Sequence, residues 1–343
     1  MPRPAPTRFL RDVGDVDLLV LGDLNPDLIL TGEEVVPAFG QIERLLDAAE
    51  LTIGGSGAIV ACGAAALGLR TAIVGVVGDD VFGRFMLDRL SERGVDVGAV
   101  VVDPAVRTGL TVILSRPEDR AILTFPGAIS ALKPDNVPLE LLRGARHVHA
   151  AAFFLQRELA PGLGDLLSEA KRAGASTSLD PNWDPEERWD GGLDDVLRST
   201  DLFLPNAEEV VRITGQDDAQ AAALTLSAQG PLVALKLGAE GALAADGEAV
   251  TRVSPPSTIE AFDTTGAGDS FDAGMIAGLL AGWDTPRALA LGCACGALST
   301  LAIGGTGAQP SFEQAVELLG FDVSAPASTR GGRGSQPEAG QVG

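Results

Sequence analysis

The sequence predicts an α/β fold, with a mostly parallel central sheet covered by helices and a smaller second sheet attached. Three observations carry this. Short apolar runs alternate with helix-patterned stretches along most of the chain, which is the grammar of β-α-β units. The runs at 16–21 and 71–77 are mostly apolar or β-branched rather than alternating, as in strands buried on both faces. The grammar breaks once, at 108–128, where two β-rich runs flank a polar turn and read as a hairpin.

In chain order, residues 1–14 read as a loose arm, and 16–21, closed by Gly22, as the first buried strand. Short strands at 28–30 and 50–53 flank a helical or irregular excursion at 40–49. An Ala-rich helix at 57–67 stops at Gly68. A β-branched strand at 71–77 follows, and an amphipathic helix at 83–93 ends at Gly94. The hairpin pairs 110–115 with 121–125 across Arg116-Pro117-Glu118-Asp119-Arg120. A hairpin is hard to place inside a doubly wound sheet, so it is assigned with 28–30 and 50–53 to the second sheet. Alternation then resumes, with strands at 147–154, 176–179, 202–204, 232–237 and 241–245. Helices are expected at 159–173, 207–214, 220–229, 270–281, 285–301 and 311–319. The stretch 324–343, rich in Gly, Ser, Pro and Ala, reads as a disordered tail. No internal repeat is visible.

The 343 residues are 45% hydrophobic, enough for a large core, and tyrosine is absent. A formal charge of −22 with no basic cluster argues against a nucleic-acid partner. Lysine is confined to Lys133, Lys171 and Lys236. Cys62, Cys293 and Cys295 form no metal spacing, and 293–295 reads as helix core, so a reducing compartment fits. The N-terminus lacks the apolar stretch of a signal peptide, and no apolar run approaches a membrane span. The expectation is a soluble, cytoplasmic protein without a membrane partner.

One stretch organises the rest. In Asp263-Thr264-Thr265-Gly266-Ala267-Gly268-Asp269-Ser270-Phe271-Asp272-Ala273-Gly274, two acids bracket a run of small residues before a helix-compatible segment. A helix starting here would aim its orphan N–H groups and the positive end of its dipole at one point, an anion site. Asp269 would stand beside the anion, a poor phosphate ligand but a suitable general base for an attacking hydroxyl. The plainer alternative is a capped helix start packed closely through Gly274 and Gly278. The order Asp-Thr-Thr-Gly-Ala-Gly-Asp-Ser-Phe resembles the C-terminal signature of the ribokinase-like (PfkB-type) carbohydrate and nucleoside kinases. That resemblance implies a ribokinase-like three-layer sandwich over 15–322, with a β-sheet lid from about 24–55 and 108–128. It assigns Gly266, Ala267 and Gly268 to the anion hole and Asp269 to the catalytic base.

Four further segments extend the resemblance. Gly22-Asp23-Leu24-Asn25-Pro26-Asp27 follows the first strand, where open α/β sheets bind ligands, and is similar to the family's Gly-x-x-Asn-x-Asp segment. It implies Asn25 and Asp27 in sugar binding. Gly54-Gly55-Ser56-Gly57-Ala58 resembles the N-terminal Gly-Gly signature, in which Gly54 and Gly55 let backbone approach the sugar. Ile59 stands where many members carry Asn, which puts ribose in doubt as the substrate. Asn206-Ala207-Glu208-Glu209 matches Asn-x-x-Glu. One helical turn lets Asn206 and Glu209 face the same way, as would a simple capping box. The resemblance assigns them to Mg²⁺ and the phosphates of ATP. Lys236-Leu237-Gly238-Ala239-Glu240-Gly241 resembles the Gly-x-x-Gly turn that contacts the nucleotide, giving Lys236, Gly238 and Gly241.

Weaker candidates remain. Asp180-Pro181-Asn182 is similar to the Asp-Pro-Asn-x-Arg segment of fructokinases and ketodeoxygluconate kinases. Asn182 joins the nucleotide set, and Asp184 replaces the Arg, so an anionic sugar acid loses its expected partner. Trp183 could cover the pocket instead. Gln156 stands where the family often has a sugar contact. His147 and His149, the two histidines of the chain, lack a third metal ligand and read as core or surface residues. The segment 304–311 resembles the ribokinase K⁺ segment, implying Asp263, Thr265, Gly305, Gly307 and Ser311 around a monovalent cation. No Gly-x-x-x-x-Gly-Lys-[Ser/Thr] loop and no dinucleotide fingerprint is present.

The reading is transfer of the ATP γ-phosphoryl group to a primary hydroxyl of a small sugar. A nucleoside kinase shares these motifs. A catalytically silent sugar-binding or regulatory protein would have no need of Asp269. The exposed edges of a β lid also suggest a homodimer formed through it.

Overall fold

The computed structural model describes residues 16–33, 35–116, 119–256 and 259–320. The expected arm at 1–14 and the tail from 324 lie outside the described residues, as do Pro117 and Glu118 of the hairpin turn. From Val16 the chain forms β1 (Val16–Leu21), β2 (Asn25–Thr31), β3 (Ala48–Gly54), α1 (Ser56–Ala66), β4 (Thr71–Val74), β5 (Val76–Gly78), α2 (Val81–Glu92) and β6 (Val101–Asp103). The hairpin follows as β7 (Leu110–Arg116) and β8 (Asp119–Phe125). Next come α3 (Leu139–Gly144), β9 (Ala145–Ala150), α4 (Ala160–Arg172), β10 (Ser176–Leu179), α5 (Leu193–Leu197), β11 (Leu202–Phe203), α6 (Ala207–Thr214) and α7 (Ala219–Ser227). The last elements are β12 (Leu232–Lys236), β13 (Ala242–Asp246), β14 (Ala249–Val253), α8 (Ala267–Leu280), α9 (Thr285–Ser299) and α10 (Phe312–Leu319).

Eight strands make the main sheet in the order β14-β13-β12-β11-β10-β9-β1-β4, parallel from β4 to β12 and antiparallel at β13 and β14. The pleat sends alternate residues to opposite faces. Leu18 and Val20 of β1 join one core with α1, α2, α8, α9 and Ala315 of α10, while Leu19 and Leu21 join another with α4, α5, α6 and α7. The result is a three-layer sandwich. Helices α2, α7 and α9 each start behind an Asp (Asp80, Asp218, Asp284) whose carboxylate accepts from first-turn N–H groups. Such caps are worth about 1 kcal/mol each. Close packing of α8 on α9 depends on Gly274 and Gly278. A Cβ on either would lie within 2.9 Å of Leu291 or Ala288 backbone.

The second sheet has the order β3-β2-β7-β8 and stands apart from the main one. Strand β2 runs antiparallel to β3 and parallel to β7, and β7 and β8 form the expected hairpin. The excursion is irregular over 40–47 and contains no helix, and 48–49 already belong to β3. Phe39 and Leu45 are exposed, as are Ile122, Leu123 and Phe125 on β8.

The structure corrects several sequence expectations. The strand expected at 71–77 is two strands. At Gly75 the backbone passes Gly22, where a Cβ would lie 2.6 Å from the Gly22 carbonyl oxygen, and β5 leaves the main sheet to pair with β6. The strand expected at 147–154 ends at Ala150, because Ala152 is left-handed (φ 54°) and Phe153–Leu155 form a 3₁₀ turn. Strand β14 went unread because it is a half-exposed edge strand with no continuous apolar run.

Candidate active site

The site lies beyond the C-terminal ends of the parallel strands. Asp23 follows β1, Asp180 follows β10, Asn206 follows β11 and Lys236 closes β12. The N-terminus of α8 faces them across a cleft of about 830 Å³ lined by Asn182, Asn206, Glu209, Lys236, Gly238 and Gly241, and by the 266–269 segment. The structure thus gathers the whole expected nucleotide set with the expected anion hole and base.

Gly266 caps α8 in the left-handed region (φ 70°), and a Cβ there would lie 2.5 Å from the Cα of Gly305. A side chain at 266 is therefore excluded by both strain and space. The Ala267 N–H turns back to the Thr264 carbonyl at 3.3 Å. This modifies the expected set. The open donors are the N–H groups of Gly266, Gly268 and Asp269, for which no acceptor occurs among the described residues.

Asp269 sits in the first turn of α8. Its Oδ1 accepts a 2.5 Å hydrogen bond from the Ser56 hydroxyl. Ser56 is itself fixed, because Asp23 accepts from the N–H groups of Ser56 (3.2 Å) and Gly57 (2.8 Å). Burial, and next the Asp180 carboxylate, push Asp269 up to about 7, against the pull of Ser56 and Lys236.

Beneath the cleft, Lys236 Nζ donates to Asp180 (2.5 Å) and to both oxygens of Asp272 (3.1 and 3.2 Å). The three side chains are 13%, 7% and 0% exposed. Burial works against the ammonium, yet Asp180, Asp272 and Glu209 hold its pKa above the usual lysine range. Burial also raises Asp272 well above the carboxylate range, whereas Lys236 keeps Asp180 below it in spite of burial. Asp180 Oδ1 also accepts from the Asn182 N–H, holding Asn182 in a left-handed turn.

Asn206 and Glu209 form a reciprocal capping box on α6, at 2.8 and 2.9 Å. Both also line the cleft, so the structural and the functional readings of this motif coincide. Burial, followed by Asp180, pushes Glu209 up to about 7. Among the described residues no cluster of three or more His, Cys, Asp or Glu could hold a metal ion.

Asn25 and Asp27 open β2, and Gly54 closes β3 opposite Asn25. A Cβ on Gly54 would lie within 2.5 Å of the Asp27 carboxyl, and one on Gly55 would meet Asp23 and Asn25. The two glycines therefore make room for acidic and amide side chains. Asn25 Nδ2 donates to Thr111 Oγ1 (3.2 Å) on β7. Asp27 is pushed up to about 7 by burial and then by the Asp23 and Asp269 carboxylates. Gln156 is 1% exposed, with neither amide atom partnered, and it does not line the cleft described above.

Asp263 links two loops. It accepts from the Thr265 N–H and hydroxyl and from the Gly304 N–H, all within 2.9 Å. Gly305 abuts Ile59, and a Cβ on Gly307 would lie 2.6 Å from the Ile303 carbonyl. Ser311 caps α10, its hydroxyl donating to Glu313 and accepting from the Gln314 N–H.

The pfkB family carbohydrate kinase profile matches residues 16–311. The chain belongs to the pfkB family of carbohydrate kinases. It is therefore a sugar kinase, a phosphotransferase with an alcohol group as acceptor. A Klebsiella pneumoniae fructokinase is 36% identical over 309 residues, covering 85% of this chain and 95% of its own. A Bacillus subtilis 2-dehydro-3-deoxygluconokinase is 30% identical over 279 residues, covering 78% and 86%. The structure of an Arabidopsis thaliana ribokinase complexed with ribose and ATP is similar at a TM-score of 0.76 and 25% identity, covering 90% of this chain and 99% of that one. The fold is ribokinase-like, with a smaller sheet separate from the main one. No helix among the described residues is long and apolar enough to cross a membrane.

Three family-based expectations meet local facts in this pfkB kinase. Ile59 is buried against Gly266 and Gly305, behind the start of α8. Asp184 is turned into its own loop, accepting from the N–H groups of Glu186, Arg188 and Trp189. Trp183 packs edge-on to Trp189 at 4.9 Å with Arg212 over it, and does not line the cleft. His147 and His149 are core residues bonded to Ser176 and Ser178. Sequence reasoning missed Ser56, Asp272 and Arg120. For Asp272 a signal existed, since it lies one helical turn beyond Asp269. Arg120, read as part of a polar turn, reaches the cleft from β8.

Proposed function

We propose that this chain transfers the γ-phosphoryl group of ATP to a primary hydroxyl of a small, uncharged sugar. The observation that carries the proposal is the Asp269 carboxylate set beside the open N–H groups at the start of α8, on the wall of the cleft. Asp269 takes the hydroxyl proton as the sugar oxygen bonds to phosphorus. The bond from that phosphorus to the bridging oxygen breaks, and ADP leaves with the electron pair. The N–H groups of Gly266, Gly268 and Asp269 donate to the charge that develops on the phosphoryl oxygens. Asn182, Asn206, Lys236, Gly238 and Gly241 bind the nucleotide. Asn25, Asp27, Gly54, Gly55 and Gln156 hold the sugar beneath the lid, and the two unpartnered amide atoms of buried Gln156 suit a polyol.

Relatives named as sugar kinases, and a ribokinase solved with ribose and ATP, support ATP as the donor. Mg²⁺ suits this site as an ion carried mainly by phosphate and water, with Asn206 and Glu209 on the cleft wall to orient its water shell. When bound it neutralises the charge on the phosphates. An uncharged sugar is supported from the acceptor side, where the carboxyls of Asp23, Asp27 and Asp269 crowd together. ADP release over neutral pentoses and hexoses, sugar acids and nucleosides tests the reading. Turnover confined to neutral sugars is expected, and turnover confined to nucleosides contradicts it.

The raised acidity constants set a pH dependence. A base must be ionised, and Asp269 stands near 7. The free-enzyme profile of kcat/KM should therefore fall on the acid side below about pH 7, tenfold per unit, and level off above it. Asp27 titrates in the same range, so the limb belongs to the pair. A profile flat down to about pH 5 would mean that neither carboxyl titrates near 7 in the free enzyme.

Asp263, Thr265, Gly305, Gly307 and Ser311 are proposed to surround a K⁺ ion, supported by the bonds that join the 263–265 and 304 segments. K⁺ should raise turnover more than Na⁺, and equal rates at matched ionic strength would exclude the site. The exposed Ile122, Leu123 and Phe125 of β8 support a homodimer through the lid, and light scattering at micromolar concentration decides it.

A further inference from the structure

We infer that Arg120, carried by the lid strand β8, is a positioning residue that couples the lid to the start of α8. The inference rests on the kinase reading above. Arg120 Nη1 donates to Thr265 Oγ1 at 3.0 Å and lies 3.9 Å from Asp263 Oδ1. Thr265 immediately precedes Gly266, the cap of α8. Its hydroxyl has one proton, which goes to Asp263 at 2.7 Å, so the oxygen is left to accept from Arg120. Asp263 also binds the Gly304 N–H at 2.8 Å. The lid, the loop before the open N–H groups and the 304 segment are thereby one hydrogen-bonded unit, drawn from positions 120, 263–265 and 304.

Charge makes the same point. Among the described residues lining the cleft, the cationic side chains are Arg120 and Lys236. Lys236 belongs to the main sheet and is buried against Asp180 and Asp272. Arg120 is the one carried by the small sheet, on β8. A cation near the transferring group offsets the charge that spreads over the phosphoryl oxygens. Placing it on a lid strand makes the completed site conditional on closure over the sugar, which disfavours transfer to water. A planar guanidinium suits this better than an ammonium, because its donors are held in a rigid fork and can bond several acceptors at once.

The test is steady-state kinetics on Arg120→Gln, Arg120→Lys, Thr265→Val and the Arg120→Gln/Thr265→Val pair, with the best acceptor of the wild-type enzyme. Misplacement of a catalytic loop by about 1 Å costs on the order of a hundredfold. Arg120→Gln should lower kcat between about ten- and a hundredfold, with the KM for ATP within about threefold. Arg120→Lys should recover part of the loss. The double variant should fall little further than Arg120→Gln alone, because both changes break the same bond. The inference is overturned if Arg120→Gln keeps kcat within about threefold, or if the two losses multiply in the double variant. If the wild-type chain itself shows no acceptor-dependent ADP release, the kinase reading fails first. If it turns over and the cycle is additive, only the role of Arg120 fails.

Discussion

Asp269→Asn should lower turnover by about 10²–10⁴-fold or more while making the ligand-free protein more stable at pH 8. The amide keeps the size of the carboxyl and can still accept from Ser56, but it takes no proton. The opposite sign in stability follows from the acidity. In the fold Asp269 is raised from 3.8 to about 7, so its carboxylate is a favourable contributor only when protonated. That contribution is present at low pH and is lost as pH rises through about 7. The gain of the variant should therefore be largest above pH 7 and shrink towards pH 5. Each kcal/mol of relieved repulsion moves the Tm by roughly 2–4 °C. Binding of ATP and sugar should hardly weaken, since other residues hold them. If Asp269 were only a first-turn acid, its loss would cost roughly 0.3–1 kcal/mol through the helix dipole and leave the rate intact. A folded variant with more than about a tenth of wild-type turnover excludes Asp269 as the base.

The second large effect is expected at Lys236, which lies 2.5 Å from Asp180 and 3.1 Å from Asp272. Lys236→Met removes one ammonium from between two largely buried carboxyls. Breaking a buried pair in this way typically costs about 3–5 kcal/mol. Because Asp272 is already raised well above the carboxylate range, it stays protonated more readily, and the loss should lie at the lower end. Without Lys236 the Asp180 carboxyl loses the partner that keeps its pKa low. The variant should therefore regain stability as pH falls, because protonation removes the stranded charge. Urea unfolding at two pH values checks this. A loss below about 1 kcal/mol, as for an exposed pair, would mean that water enters the cluster. Activity should fall as well, since Asp180 also holds the Asn182 N–H at the cleft.

What could be read from the sequence was what is local in it. Strands such as β1 and β4 announced themselves as buried, mostly apolar runs, and Gly266 to Asp269 because the proposed anion hole and base lie together at the start of one helix. Asn206 and Glu209 were legible for the same reason, as a single capping box on α6. The remainder of the site is assembled across the fold. Ser56 meets Asp269 over 213 residues, Lys236 meets Asp180 over 56, and Arg120 meets Thr265 over 145. No periodicity or spacing encodes such contacts. Ile59 is a different case. It stands where many members carry Asn, which put ribose in doubt, and its side chain packs against Gly266 and Gly305. Short elements were the other blind spot, since α3, α5 and β6 are too brief to display a period.

The most direct measurement is phosphorus NMR of the wild-type enzyme turning over Mg²⁺–ATP with the neutral sugar that gives the fastest ADP release. The account predicts one new phosphate-monoester resonance, from a primary alcohol, growing in step with ADP and without inorganic phosphate. ADP accompanied by inorganic phosphate, or no ATP consumption with any sugar offered, would contradict it.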